Sequence, residues 1–113
     1  MKIYRRSTKR YKFARRDADR EIITTKASKL LFTVRERPDD CSKILLQKTL
    51  EDMTFDSDGY YHMTLTPKDT DLRCGKYYYS VWAYVDDTGD VRTPIKTAGL
   101  FVIAPVVPDG EEA

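Results

Sequence analysis

The sequence predicts an all-β sandwich. Apolar residues recur mainly at period two, turn-forming residues interrupt the chain at short intervals, and no long amphipathic helical pattern occurs anywhere in it. The chain has 113 residues, 41% hydrophobic, 34% charged and 12% aromatic. That suffices for one ordinary core, since a chain of this size buries roughly two-thirds of the surface its unfolded form exposes. The aromatic content excludes a disordered tail, and no apolar run reaches the length of a membrane-spanning helix.

The first expected strand is Lys2 to Arg6 and the second Lys9 to Arg15, with Tyr11 and Phe13 on one face and basic residues opposite. A polar turn at Asp17 to Arg20 precedes a short strand at Ile22-Ile23. In Lys29 to Arg37, Leu30, Phe32 and Val34 alternate with Leu31, Thr33 and Arg35 until Pro38-Asp39-Asp40 stops the run. Ile44 to Gln47 reads as another short strand. Thr49 to Asp58 reads as a polar segment anchored by Met53 and Phe55, with a tight turn at Asp58-Gly59.

From Tyr60 to Thr66 the alternation resumes, with Tyr61, Met63 and Leu65 sharing one face and Tyr60, His62 and Thr64 the other. Pro67 ends it. A turn over Pro67 to Leu72 leads through Gly75 into Lys76 to Val85, the longest strand, where Tyr77, Tyr79, Val81, Ala83 and Val85 form the face expected to be buried. Tyr78, Ser80, Trp82 and Tyr84 form the opposite face, an aromatic stripe that marks a contact surface if exposed. Asp86 to Asp90 reads as a hairpin loop. Its partner strand runs from Val91 to Thr97, breaks near Gly99 and continues through Leu100 to Pro105, with Pro94 marking the first half as an edge or irregular. Seven to eight short strands at this spacing favour an immunoglobulin-like sandwich over an open barrel. Residues 1–105 form the expected domain and 106–113 an acidic tail.

The net charge of +2 conceals a division along the chain. Residues 1–20 hold nine Lys/Arg against two Asp, a net of +7, and the other 93 residues hold 11 Lys/Arg against 16 Asp/Glu, a net of −5. Basic edge strands that resist aggregation, head-to-tail assembly and a nucleic-acid arm all fit that asymmetry. The expected interaction residues are Arg5, Arg6, Lys9, Arg10 and Lys12 with the stripe Tyr78, Trp82 and Tyr84. Nucleic acid is the weaker expectation, because Tyr11 and Phe13 have core periodicity and the rest of the chain is acidic.

Signatures of catalysis are missing. The one histidine, His62, falls on the polar face of its strand with no nucleophile motif around it and reads as a surface residue. Cys41 and Cys74 lack metal-ligand spacing, so free thiols are expected, with a disulfide between them as the alternative. The acidic runs 56–59 and 86–90 lack the downstream Glu of a calcium loop and read as solvated turns. No phosphate-binding glycine loop and no Asn-linked glycosylation site occur. Met1 to Arg6 contains neither an apolar core nor a cleavage site of a secretion signal. The expectation is therefore a non-enzymatic protein with no cofactor, no metal, no small-molecule substrate and no membrane partner.

The runs Lys29 to Arg35, Asp58 to Thr70, Leu72 to Tyr79, Val91 to Ile95 and Gly99 to Pro105 resemble the small immunoglobulin-like virion proteins of tailed bacteriophages and prophages. They are similar in pattern to the N-terminal domain of baseplate upper proteins. The shared features are a Phe-Thr-Val strand, a Leu-Thr-Pro-x-Asp-Thr block leading to Gly and Tyr, and a closing Gly-x-Phe strand, together covering roughly residues 29–105. Leu72, Gly75 and Tyr77 then form the expected tyrosine corner, with Leu72 plugging the sandwich end and Tyr77, before Tyr78, bonding back to the backbone. Asp69 and Thr70 are expected to cap the preceding turn. The resemblance implies a tail, baseplate or neck component, in the virion or in the host cytoplasm during assembly, that docks to other virion proteins and is open to homo-oligomerisation. The alternatives are a carbohydrate- or host-surface-binding module using the aromatic stripe, and a nucleic-acid-binding accessory protein using residues 2–20.

Overall fold

The computed structural model describes residues 1–38, 42–85 and 92–106. The expected Asp86 to Asp90 hairpin loop, Cys41 and all but the first residue of the acidic tail lie outside them. Eight strands occur among the described residues: β1 Lys2–Tyr4, β2 Lys9–Ala14, β3 Lys29–Arg35, β4 Ile44–Thr49, β5 Met53–Phe55, β6 Tyr60–Leu65, β7 Gly75–Tyr84 and β8 Arg92–Ala104. They form two sheets packed as a sandwich, a five-stranded one in the order β1-β8-β7-β3-β4 and a three-stranded one in the order β2-β6-β5. All pairings are antiparallel except the parallel contact of β1 with β8. No helix among the described residues is long and apolar enough to cross a membrane.

The core is built by the alternation of the strands. Leu30, Phe32 and Val34 of β3, Tyr61, Met63 and Leu65 of β6, and Tyr79, Val81 and Ala83 of β7 are all buried. Aromatic rings carry the contact from sheet to sheet. Phe55 meets Tyr61 at 4.7 Å between centroids, Tyr61 stacks on Phe13 at 6.0 Å, and Phe13 lies 6.1 Å from Tyr11. Tyr11 then meets Tyr79 edge-on at 6.5 Å, and their hydroxyls lie 3.4 Å apart. The buried Tyr61 hydroxyl accepts from the Ala27 N–H at 2.9 Å, so this large polar ring costs the core no orphaned group.

Several sequence expectations change in detail. The Ile22-Ile23 strand reduces to one bridge between Arg16 and Ile22. The Thr49 to Asp58 loop contains a 3-10 turn, Leu50–Asp52, and the short strand β5, which pairs with β6 and completes the second sheet. Val85 is exposed because β7 ends at Tyr84, one residue before the alternation would bury it. Pro94 sits where only one side of β8 has a partner, since β1 pairs with Val102 to Ala104 alone. Such an edge segment is where a strand tolerates proline.

Two turns share one design. In Asp17 to Glu21, the Asp17 carboxylate accepts from the N–H groups of Asp19 and Glu21 at 2.9 and 3.0 Å. In Asp56 to Tyr60, the Asp56 carboxylate accepts from Asp58 and Tyr60, both at 2.9 Å. Each turn places its fourth residue at positive φ, Arg20 at 64° and Gly59 at 92°. Only the second uses the residue that adopts this backbone without strain.

Between β1 and β2 the chain crosses from one sheet to the other. Ser7 N–H donates to the Tyr4 carbonyl at 3.2 Å, with Arg6 held at φ 60°. Thr70, fully buried in the loop after β6, donates its hydroxyl to the Ser7 carbonyl at 2.7 Å. Its own carbonyl accepts from the Arg6 N–H at 3.4 Å. Thr70 thus ties two loops together while its hydroxyl also lies 3.4 Å from the Pro67 carbonyl of its own turn, and the Asp69 carboxylate accepts from the Thr66 N–H at 2.9 Å.

Candidate functional site

The outer face of the five-stranded sheet is the candidate docking site. Because Tyr79, Val81 and Ala83 point into the core, Tyr78, Ser80, Trp82 and Tyr84 point out, all half-buried. Register assembles their neighbours. On β3, Arg35, Thr33, Leu31 and Lys29 stand opposite these four residues in turn. On β8, Leu100, Pro94 and Arg92 stand opposite Tyr78, Trp82 and Tyr84. The surface dips between the strands into a groove of about 310 Å³, lined by Leu31, Thr33, Gln47, Tyr78, Trp82 and Arg92 among others. Gln47 closes one side, donating to the Thr33 hydroxyl at 3.2 Å.

Cations lie on the rings. The Arg92 guanidinium is 3.8 Å from the centroid of Trp82, Lys29 Nζ is 5.3 Å from Tyr84, and Lys2 Nζ is 5.5 Å from Tyr4. Lys76, paired with Val102 at the other end of β7, adds a further exposed cation to the same face. Neither sheet supplies an acid: none of the eight strands contains Asp or Glu, whereas ten of the 20 Lys/Arg lie in strands.

The basic residues expected at positions 5–12 do not join this face, to which the N-terminal segment contributes Lys2. Arg10 and Lys12 project from the opposite, three-stranded sheet, where Lys12 Nζ lies 4.6 Å from the Tyr60 ring. Lys9 is half-buried at the start of β2. Arg5 and Arg6 both reach Asp71 Oδ1, at 3.1 and 3.0 Å, clamping the crossover. The single basic surface expected from residues 5–12 is thus split, because β1 and β2 enter different sheets. Arg92, Lys29, Leu31 and Lys76 were not singled out from the sequence. The alternation of β3 and β7 carried half of the necessary signal, and the register between strands the rest.

At the corner between β6 and β7, the Tyr77 hydroxyl donates to the Arg73 carbonyl, Leu72 packs against the core and Gly75 opens β7. His62 is exposed, with Nε2 2.7 Å from Asp56 Oδ2. That contact and the backbone donors of Tyr60 and Asp58 hold the Asp56 carboxyl below its ordinary range. Burial, then the Tyr11 hydroxyl, pushes the Tyr79 phenol up, so it stays protonated. Cys74 is exposed. Among the described residues, no group of three or more His, Cys, Asp or Glu is placed to hold a metal ion. No protein-family model matches the chain, and no curated protein does either.

Proposed function

We propose that the chain is a non-enzymatic immunoglobulin-like docking protein of a tailed-bacteriophage or prophage virion, a tail, baseplate or neck component acting by protein–protein contact. The outer face of the five-stranded sheet carries the docking reading: aromatic and aliphatic side chains are displayed there around a groove, on a rigid sheet. Strand order supports the immunoglobulin-like assignment. Taking β2 to β8 as B, C, C′, D, E, F and G puts B, E and D in one sheet and G, F, C and C′ in the other, the order of variable-type domains without a C″ strand among the described residues. The Tyr77 bond at the start of the F-equivalent strand supports it too. The phage setting rests on the motif resemblance across residues 29–105.

Sugar binding is less favoured, because Arg92 already occupies the Trp82 ring that a pyranose would stack on. Mass spectrometry of gradient-purified particles from a host carrying the gene tests the assignment. The protein is expected to co-sediment with particles at constant stoichiometry, and its recovery only among unassembled lysate proteins would overturn the reading.

A further inference from the structure

We infer that the outer face of the five-stranded sheet receives an acidic, extended segment of a partner protein, centred on Arg92 and Trp82. This rests on the docking reading and names the chemistry of the partner. Lys2, Lys29, Lys76 and Arg92 are exposed on this face, drawn from four different strands, and no strand of the sheet contributes a carboxylate. Arg35 adds a fifth cation, with Nη1 donating to the Ser42 carbonyl at 2.6 Å. Among the described residues every Asp and Glu lies outside the strands, an arrangement that follows from the poor strand propensity of these residues. The strands of this face therefore present charge of one sign, and the electrostatic complement of that surface is an acidic partner.

Single-stranded nucleic acid is also polyanionic, and the aromatic residues would offer it stacking platforms. The positions of the cations favour carboxylates instead. A base must lie on a free ring face, and Trp82, Tyr84 and Tyr4 each already carry a cation within 5.5 Å of the ring centroid. A carboxylate needs no ring face. A guanidinium stacked on an indole keeps its in-plane N–H edge directed outward, the geometry for a paired contact with both oxygens. The groove beside it, about 310 Å³ and floored by Leu31, Tyr78 and Trp82, accommodates an apolar side chain next to the acids. An acidic strand with an apolar or aromatic residue between its carboxylates meets both requirements.

Trp82 is the only tryptophan, so its emission reports occupancy of this face directly. The experiment titrates the intact protein at low ionic strength with poly-L-glutamate, with a blocked Glu-Glu-Phe-Glu-Glu peptide and with single-stranded oligothymidylate. Both acidic probes are expected to change Trp82 emission saturably, the Phe-containing peptide binding more tightly per carboxylate, with the effect lost in high salt. Arg92→Gln should weaken the peptide by roughly tenfold or more, as for a lost charge-assisted pair. The double variant Arg10→Gln, Lys12→Gln, on the other sheet, should bind as the parent does. No emission change with either acidic probe, tighter binding of oligothymidylate than of poly-L-glutamate, or equal weakening by both sets of variants would overturn the inference. Unfolding curves of each variant separate lost binding from lost fold. Particle-associated protein that ignores the acidic probes would defeat this inference alone, leaving the docking reading in place.

Discussion

The ring of Tyr79 lies directly across Gly99, its registered partner on β8, so that a methyl group built on Gly99 would overlap the ring carbons. The absence of a side chain at Gly99 lets the ring lie flat over the neighbouring strand. From there it reaches Phe32 at 5.7 Å, Phe101 at 6.4 Å and Tyr11 at 6.5 Å, joining the two sheets. Aromatic cover of a strand glycine also excludes water from its exposed backbone.

Gly99→Ala should therefore be far more harmful than a strand Gly→Ala change usually is. Expelling the Tyr79 ring is an overpacking defect at the junction of the sheets, with an expected loss of about 1–3 kcal/mol or more. Urea unfolding checks it, and Tyr79→Leu in the Gly99→Ala background should recover part of the loss by freeing the space.

The paired turns predict opposite signs for two changes. Arg20→Gly relieves a side chain held at positive φ and should raise stability by up to about 1 kcal/mol, the strain relieved exceeding the added chain entropy. Gly59→Ala should lower it by roughly 1–3 kcal/mol. A β-carbon there would lie 2.6 Å from Ile22 Cγ2 and 2.9 Å from the Ile23 carbonyl oxygen. Thermal unfolding of the two variants beside the parent distinguishes them.

Removing the Tyr77 hydroxyl leaves the Arg73 carbonyl without this donor. Tyr77→Phe should cost about 0.5–1.5 kcal/mol, the net worth of one hydrogen bond. Tyr78→Phe, on the outer face, should fall within about 0.5 kcal/mol of the parent in the same denaturant titration.

Stability should fall in acid, with the loss beginning near pH 4. Asp56, Asp69 and Asp71 all sit below the ordinary carboxyl value of 3.8. His62 is the largest cause at Asp56 and Arg6 at Asp71. At Asp69 burial raises the value, but the Thr66 backbone N–H and Lys48, 2.9 Å away, outweigh it. A carboxyl lowered by folding stabilises the native state above its unfolded value, and that contribution disappears as pH falls through the folded value. Melting temperature should accordingly decline as pH falls below about 4 through these groups, and Asp69→Asn with Asp71→Asn should flatten that limb. An unchanged acid limb in the double variant would assign the loss to other carboxylates.

Local patterning made much of this molecule legible. The buried faces of β3 and β6, the Asp58-Gly59 turn and the irregular Pro94 segment all depend on neighbours within a few residues, so alternation and turn chemistry reveal them. The strand β5 was hidden because three residues are too few to display a period, and Val85 was misplaced because the alternation runs past the end of β7. The candidate site divides in the same way. Tyr78, Trp82 and Tyr84 share a face by parity along one strand. Arg92 reaches Trp82 only through pairing between β7 and β8, a relation that no local pattern encodes.

By itself, then, the sequence determined the two-faced strands, most turns, and the uneven distribution of charge along the chain. The tertiary structure decided which charges stand together. The crossover at Arg5 to Thr8 sends β1 and β2 to different sheets, so the basic residues Lys2, Arg5, Arg6, Arg10 and Lys12 are divided among a clamp on Asp71 and two opposite faces. Lys2, Lys29, Lys76 and Arg92, spread over 91 positions, meanwhile come to share one face. Strand propensity is a property of residues, whereas the sign of a sheet face is a property of register, and register is fixed only when distant strands pair.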